Sequence, residues 1–187
     1  MNTNLYYCKV IFIHIPKTGG QSIFSFLDSN NLDNWKREFH ARHDPLFHLQ
    51  ALNDLFDVFK FAVVRNPFRR AFSYYKHFNL QNNLNVSLKE FFRIIKDQEY
   101  YENTPMIFYP QSFYLCDTNG DFGVDKIYRF ENMREFEMDF KCSLDKLNVG
   151  NYSLSEYVNS YTEENKNFVR EYYYCDFIRL KYSFDFV

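Results

Sequence analysis

Residues Lys9 to Ile15 read Lys-Val-Ile-Phe-Ile-His-Ile and run straight into Pro16-Lys17-Thr18-Gly19-Gly20. A β-branched run of strand length that stops on turn residues is a buried strand ending in a loop. From Gln21 the pattern becomes helical, because Ile23, Phe24, Phe26 and Leu27 fit one face of a short helix that stops near Asp28-Ser29-Asn30. A second apolar strand, Phe59 to Val64, enters Arg65-Asn66-Pro67, where Asn66 suits an N-cap and Pro67 the first helical position. Phe68, Phe72 and Tyr75 give that helix its buried stripe, with Arg70 and Ser73 on a neighbouring face. A third strand, Lys126 to Phe130, precedes an amphipathic segment from Asn132 to Phe140. Strands that alternate with helices in this way imply an α/β fold with parallel neighbours.

The rest of the chain fills in around this frame. Residues Ser29 to Asp57 read as a polar loop followed by a helix over Leu46 to Phe56, and they hold three histidines, His40, His43 and His48. An Asn-rich turn from Gln81 to Asn85 leads to a helix over Ser87 to Lys96, and a further helix is expected over Met106 to Cys116. Thr118 to Gly123 is a turn, Gly150 closes a loop, and Thr162 with Glu163 and Glu164 opens the longer of the C-terminal helices. There are no internal repeats and no Gly/Ser- or Pro-rich linkers, so 187 residues read as a single domain, 1–187, around one core. The unusual aromatic content, 23 Phe and 16 Tyr, is read as core packing, as is Tyr172-Tyr173-Tyr174 on a helix edge.

Charge and cysteine usage narrow the function classes. Twenty-two basic against 24 acidic side chains argue against a broad basic surface for nucleic acid, so any anion site must be local. The basic pairs Lys36-Arg37 and Arg69-Arg70 read as solvated surface. Cys8, Cys116, Cys142 and Cys175 lie far apart without a C-x-x-C pair, which favours reduced thiols over zinc or redox chemistry. With no signal peptide and no long apolar run, a cytoplasmic protein without a membrane anchor is expected.

Two strand-to-helix junctions carry the chemistry, since open α/β sheets bind ligands at the carboxyl ends of their strands. In His14-Ile-Pro-Lys17-Thr18-Gly19-Gly20-Gln21-Ser22, adjacent glycines let main-chain N–H groups converge at a helix N-terminus and Lys17 adds a full charge. The order differs from a Walker A loop, because Lys17 precedes the glycines. In Arg65-Asn66-Pro67-Phe68-Arg69-Arg70-Ala71-Phe72-Ser73, Arg65 offers a fork for an anion and Ser73 a hydroxyl. Taken singly, the first segment reads equally as a plain tight turn, and the second as a surface Arg and a helix Ser.

Together the two segments resemble the signatures of sulfotransferases that use 3′-phosphoadenosine 5′-phosphosulfate (PAPS), particularly the carbohydrate group of the heparan sulfate 2-O and 6-O type. The first matches the family's His-Ile-Pro-Lys-Thr-Gly-Gly-Thr-Ser except at Gln21; the second matches Arg-Asn-Pro-x-x-Arg-x-x-Ser throughout. Looser likeness runs through Gln111-Ser112-Phe113-Tyr114-Leu115 and Ile127-Tyr128-Arg129-Phe130-Glu131-Asn132, so the resemblance covers about Lys9 to Phe140. It implies a P-loop-like three-layer α/β/α fold with a central, mainly parallel sheet. It also implies that Lys17, the backbone of Thr18, Gly19 and Gly20, and Gln21 and Ser22 bind the 5′-phosphosulfate, and that Arg65 and Ser73 bind the 3′-phosphate. Lys17 stabilises the leaving phosphate, and no metal is needed. Related enzymes carry a histidine base about two dozen residues before the phosphate-binding arginine, which favours His43, 22 positions ahead of Arg65, over His40 and then His48. His14 is expected to pack at its strand end and His77 to decorate a helix. The implied partner is a hydroxyl-bearing acceptor, a carbohydrate in the resembled group. A kinase using ATP and a non-catalytic PAPS-binding module are the rival readings.

Overall fold

A computed structural model of the chain describes residues 9–30, 43–52, 55, 57–99, 108–145, 147, 150 and 152–186. Contacts among them fall into two compact units, the first drawn from residues 1–65 and 111–148 and the second from 66–110 and 149–187.

The first unit is built on strands β1 (Val10–Ile13), β2 (Phe59–Val64) and β3 (Lys126–Arg129), which form an all-parallel open sheet in the order β1-β2-β3. Register pairs Ile13 with Ala62 and Val64 with Arg129, so the central strand outlasts β1 on one side. Helices α1 (Gly20–Ser29), α2 (Leu46–Leu52), α5 (Gln111–Leu115) and α6 (Arg134–Asp139) belong to this unit. One sheet face presents Val10, Phe12, Phe61, Val63 and Tyr128 to Ile23, Phe26 and Leu27 of α1 and to Phe136 and Phe140 at α6. The alternate residues Ile11, Ile13, Ala62 and Val64 are buried as well. Strands covered on both faces are what parallel sheets require, and the class is α/β, consistent with a three-layer α/β/α fold.

The second unit is helical: α3 (Pro67–Gln81), α4 (Leu88–Glu99), α7 (Leu154–Ser160), α8 (Glu163–Tyr172) and α9 (Tyr174–Arg179). Its core holds Phe68, Phe72, Phe91, Phe92, Phe108, Tyr157, Tyr161 and Phe177. The aromatic excess is therefore core material in both units, as expected. Several of its helix starts are written in the sequence. The Asn66 side chain accepts from the N–H groups of Phe68 and Arg69 at 3.0 and 3.2 Å. Ser87 and Glu90 form a reciprocal capping box, and Thr162 accepts from Asn165 N–H at 3.2 Å.

Three boundaries and one surface reading differ from expectation. The helix expected from Met106 begins only at Gln111, because Pro110 disfavours helical geometry in the residue before it; residues 106–107 lie outside the described residues. Strand β1 stops at Ile13, where its partner register ends, two residues short of Ile15. Strand β3 stops at Arg129, because Phe130 already belongs to a 3-10 turn, Phe130–Asn132. Arg70 is not solvated surface: it is 3% exposed, donates from Nη1 to Tyr109 O at 3.0 Å, and lies over the Tyr173 ring. The Lys36-Arg37 pair lies outside the described residues.

Candidate active site

The loop between β1 and α1 turns through two left-handed residues, Lys17 at φ 68° and Gly19 at φ 87°, and Gly19 is the N-cap of α1. Glycine adopts that geometry freely; for lysine it costs about 1–2 kcal/mol. Four other described non-glycine residues have positive φ: His43, Asn83, Lys141 and Lys181. Asn83, Lys141 and Lys181 each follow a helix cap, and the next residue donates its N–H back five positions, Leu84 to Asn79, Cys142 to Glu137 and Tyr182 to Phe177. These are Schellman ends, in which a left-handed residue is the norm. Lys17 and His43 have no helix end to explain them, and strain of this kind concentrates at functional sites.

Within the loop, Thr18 is fully buried and its hydroxyl donates to Ile15 O at 2.8 Å, so its side chain braces the turn and leaves only its main chain for a ligand. Ser22 Oγ accepts from Leu147 N–H at 3.2 Å, which leaves the hydroxyl hydrogen for a ligand oxygen. Gln21 is exposed at the first turn of α1. Gly20 is required by a neighbour: a Cβ there would lie 2.0 Å from His14 Nε2. The His14 ring packs against Phe12 and Phe24 at the strand end, as expected.

Arg65 leaves the end of β2 and reaches the loop, where Nη1 donates to Lys17 O at 3.2 Å. Its guanidinium lies 4.3 Å over the Phe130 ring, and the same ring lies 2.8 Å from where a Cβ on Gly19 would sit. Burial, and after it the Arg65 charge, holds the Lys17 ammonium below the ordinary lysine range. Two cations held close in this way suit a multiply charged anion.

His43 joins the same unit. Its ring centroid is 4.2 Å from that of His14, and its Nδ1 lies 3.1 Å from His14 O. A carbonyl oxygen only accepts, so Nδ1 carries a proton here, and Nε2 is the ring nitrogen that can accept one. His48 is exposed and its Nδ1 lies 3.1 Å from Asp44 Oδ1. His77 is on α3 beside Tyr74. His40 lies outside the described residues. Ser73 is half-buried on α3, in the second unit.

Sequence reasoning assigned no role to Gln111 or Phe130, although both sit in segments whose likeness to the family was noted. Nor did it foresee the contacts of His14 with Gly20 and His43. These depend on loop closure, which side-chain periodicity does not encode. Among the described residues no group of His, Cys, Asp or Glu could hold a metal ion, and no helix is long and apolar enough to cross a membrane.

A parallel α/β sheet with a lysine- and glycine-bearing loop at the end of its first strand, faced by an arginine from the next, is an arrangement suited to a phosphate-like anion. The chain matches the sequence model of the Sulfotransferase family over residues 6–183 and belongs to that family, which makes it a transferase of sulfuryl groups. The match extends well past Phe140 and takes in residues of both units. No curated protein and no solved structure matches the chain.

Proposed function

We propose that the protein moves a sulfuryl group from PAPS to an acceptor hydroxyl on a carbohydrate by in-line displacement, residues 1–187 acting as one sulfotransferase domain. The observation that carries the reading is the approach of Arg65 to the Lys17 loop, with Nη1 on Lys17 O at 3.2 Å. One donor with phosphate at both the 3′ and 5′ positions uses both cations; ATP offers no 3′-phosphate. The loop suits such a group, since the N-terminus of α1 follows Lys17 within three residues, and Gly19 and Gly20 let the main chain close against the Phe130 and His14 rings.

The donor, when bound, supplies the sulfuryl group and a phosphate leaving group. Lys17 and the N-terminus of α1 hold the 5′ end, with Ser22 and Gln21 as side-chain donors. Lys17 would hold the leaving phosphate and offset the charge that grows there as the S–O bond breaks, a role worth about 3–4 kcal/mol for one preorganised donor. Arg65 takes the 3′-phosphate, and the family motif adds the Ser73 hydroxyl. His43 Nε2 removes the acceptor proton as the new O–S bond forms. The chemistry asks for position and charge, not for a metal. The likeness of both motifs to the heparan sulfate 2-O and 6-O type supports the carbohydrate acceptor.

Thermal unfolding with adenosine 3′,5′-bisphosphate (PAP) or ATP tests the reading. A ligand at 100 times its Kd adds about 2.7 kcal/mol, which is roughly 5–11 °C for a chain of this size. PAP is expected to protect more than ATP at equal concentration. Stronger protection by ATP with a magnesium requirement would make the protein a kinase and overturn the proposal.

A further inference from the structure

Resting on that reading, the geometry points to Gln111 as the residue that positions Arg65 for the 3′-phosphate, its buried carboxamide standing in for a neighbouring strand where the β2 ladder ends. The register stops at Ala62 on the β1 side and at Val64 on the β3 side. Among the described residues, Arg65 is therefore the first residue beyond β2 and beyond its pairing with either neighbouring strand. Its N–H donates to Gln111 Oε1 at 2.8 Å, and Gln111 Nε2 donates to Arg65 O at 2.8 Å. A carboxamide offers a donor and an acceptor side by side, as a peptide group does, so one side chain can occupy both main-chain groups of one residue.

Gln111 is 0% exposed and follows Pro110 at the first position of α5, which fixes where its side chain starts. The two hydrogen bonds set the main chain of Arg65. From that base, the Lys17 carbonyl and the Phe130 ring set the guanidinium at the other end of the side chain. Arg65 is thus held at both ends, and Gln111 controls the end that the loop does not reach. Gln111 is a positioning residue: it acts through Arg65 and has no reacting atom of its own.

Titration calorimetry of the full chain with PAP and with 5′-AMP tests this, in wild type, Gln111→Met and Gln111→Glu. Methionine keeps the length and removes both hydrogen bonds; glutamate keeps an acceptor for Arg65 N–H and sets a second oxygen against Arg65 O. A misplaced guanidinium is expected to weaken PAP by about tenfold or more while 5′-AMP stays within about twofold, so that the PAP preference falls in both variants. A purely structural role would lower both ligands together or neither. An unchanged PAP to 5′-AMP ratio overturns the inference, and if Gln111→Met does not fold, Gln111→Glu gives the same reading. Absence of a PAP preference in wild type instead overturns the functional reading on which the inference rests.

Discussion

Gly20→Ala gives the sharpest test of how the site is packed. The Cβ it adds lies 2.0, 2.3 and 2.9 Å from Nε2, Cδ2 and Cε1 of His14. Carbon and nitrogen atoms in contact sit about 3.5 Å apart, so the imidazole must retreat by about 1.5 Å. It has little room, with the rings of His43, Phe24 and Phe12 at centroid distances of 4.2, 4.9 and 5.5 Å. Overpacking of this kind costs about 1–3 kcal/mol, and rings on three sides put Gly20→Ala near the top of that range. At roughly 2–4 °C per kcal/mol for a chain of this length, Tm should fall by roughly 6–12 °C. Backbone strain contributes nothing, because Gly20, unlike Gly19, does not have a positive φ. In a His14→Ala background the obstacle is gone, and alanine in place of glycine should be neutral or stabilising by up to about 1 kcal/mol. Urea denaturation of wild type, both single variants and the double variant gives the coupling energy, expected at about 3 kcal/mol. Additive effects, or a Gly20→Ala protein within about 0.5 kcal/mol of wild type, would refute the packing argument.

Other outcomes follow from the same geometry. Lys17→Met removes a half-buried cation beside Arg65, so the ligand-free protein should melt at or above the wild-type temperature while protection by PAP is lost; a lower Tm together with retained protection would contradict this. Because the Lys17 ammonium titrates below the ordinary lysine range, the folded protein binds fewer protons than the unfolded chain between the lowered pKa and 10.5, and ligand-free stability attributable to Lys17 should rise with pH across that window. PAP affinity should move the opposite way, falling as Lys17 loses its charge, which calorimetry at a series of alkaline pH values would show. Tyr161→Phe deletes a buried hydroxyl that donates to Phe68 O at 2.8 Å and should cost about 1 kcal/mol by chemical denaturation, with the packing of the second unit otherwise kept.

The layout of strands and helices was legible because it rests on local signals. Phe59–Val64 and the Asn66-Pro67 start of α3 appear at the expected residues, since an apolar run and an N-cap each act within a few positions. The Schellman ends and capping boxes belong to the same local level. Pro110 was a local signal too, and it moved the start of α5 to Gln111. What could not be read was the meeting of residues far apart in sequence. Arg65 and Gln111 are 46 positions apart, and Arg65 and Lys17 are 48 apart. Alternation along a strand says which residues face the sheet's cover, but not which loop carbonyl an arginine will reach. Arg70 was misplaced for the same reason: its spacing suits a surface face, and only the fold supplies the Tyr109 carbonyl and the Tyr173 ring that bury it.

Group transfer is measured most directly as movement of ³⁵S from labelled PAPS to a panel of carbohydrate acceptors by wild type and by His43→Ala, with Lys17→Ala as background. Transfer to at least one acceptor is expected, reduced by about 10²–10⁴-fold when the His43 base is removed. Wild-type transfer that never rises above the Lys17→Ala background, or a His43→Ala enzyme as fast as wild type, would contradict that expectation.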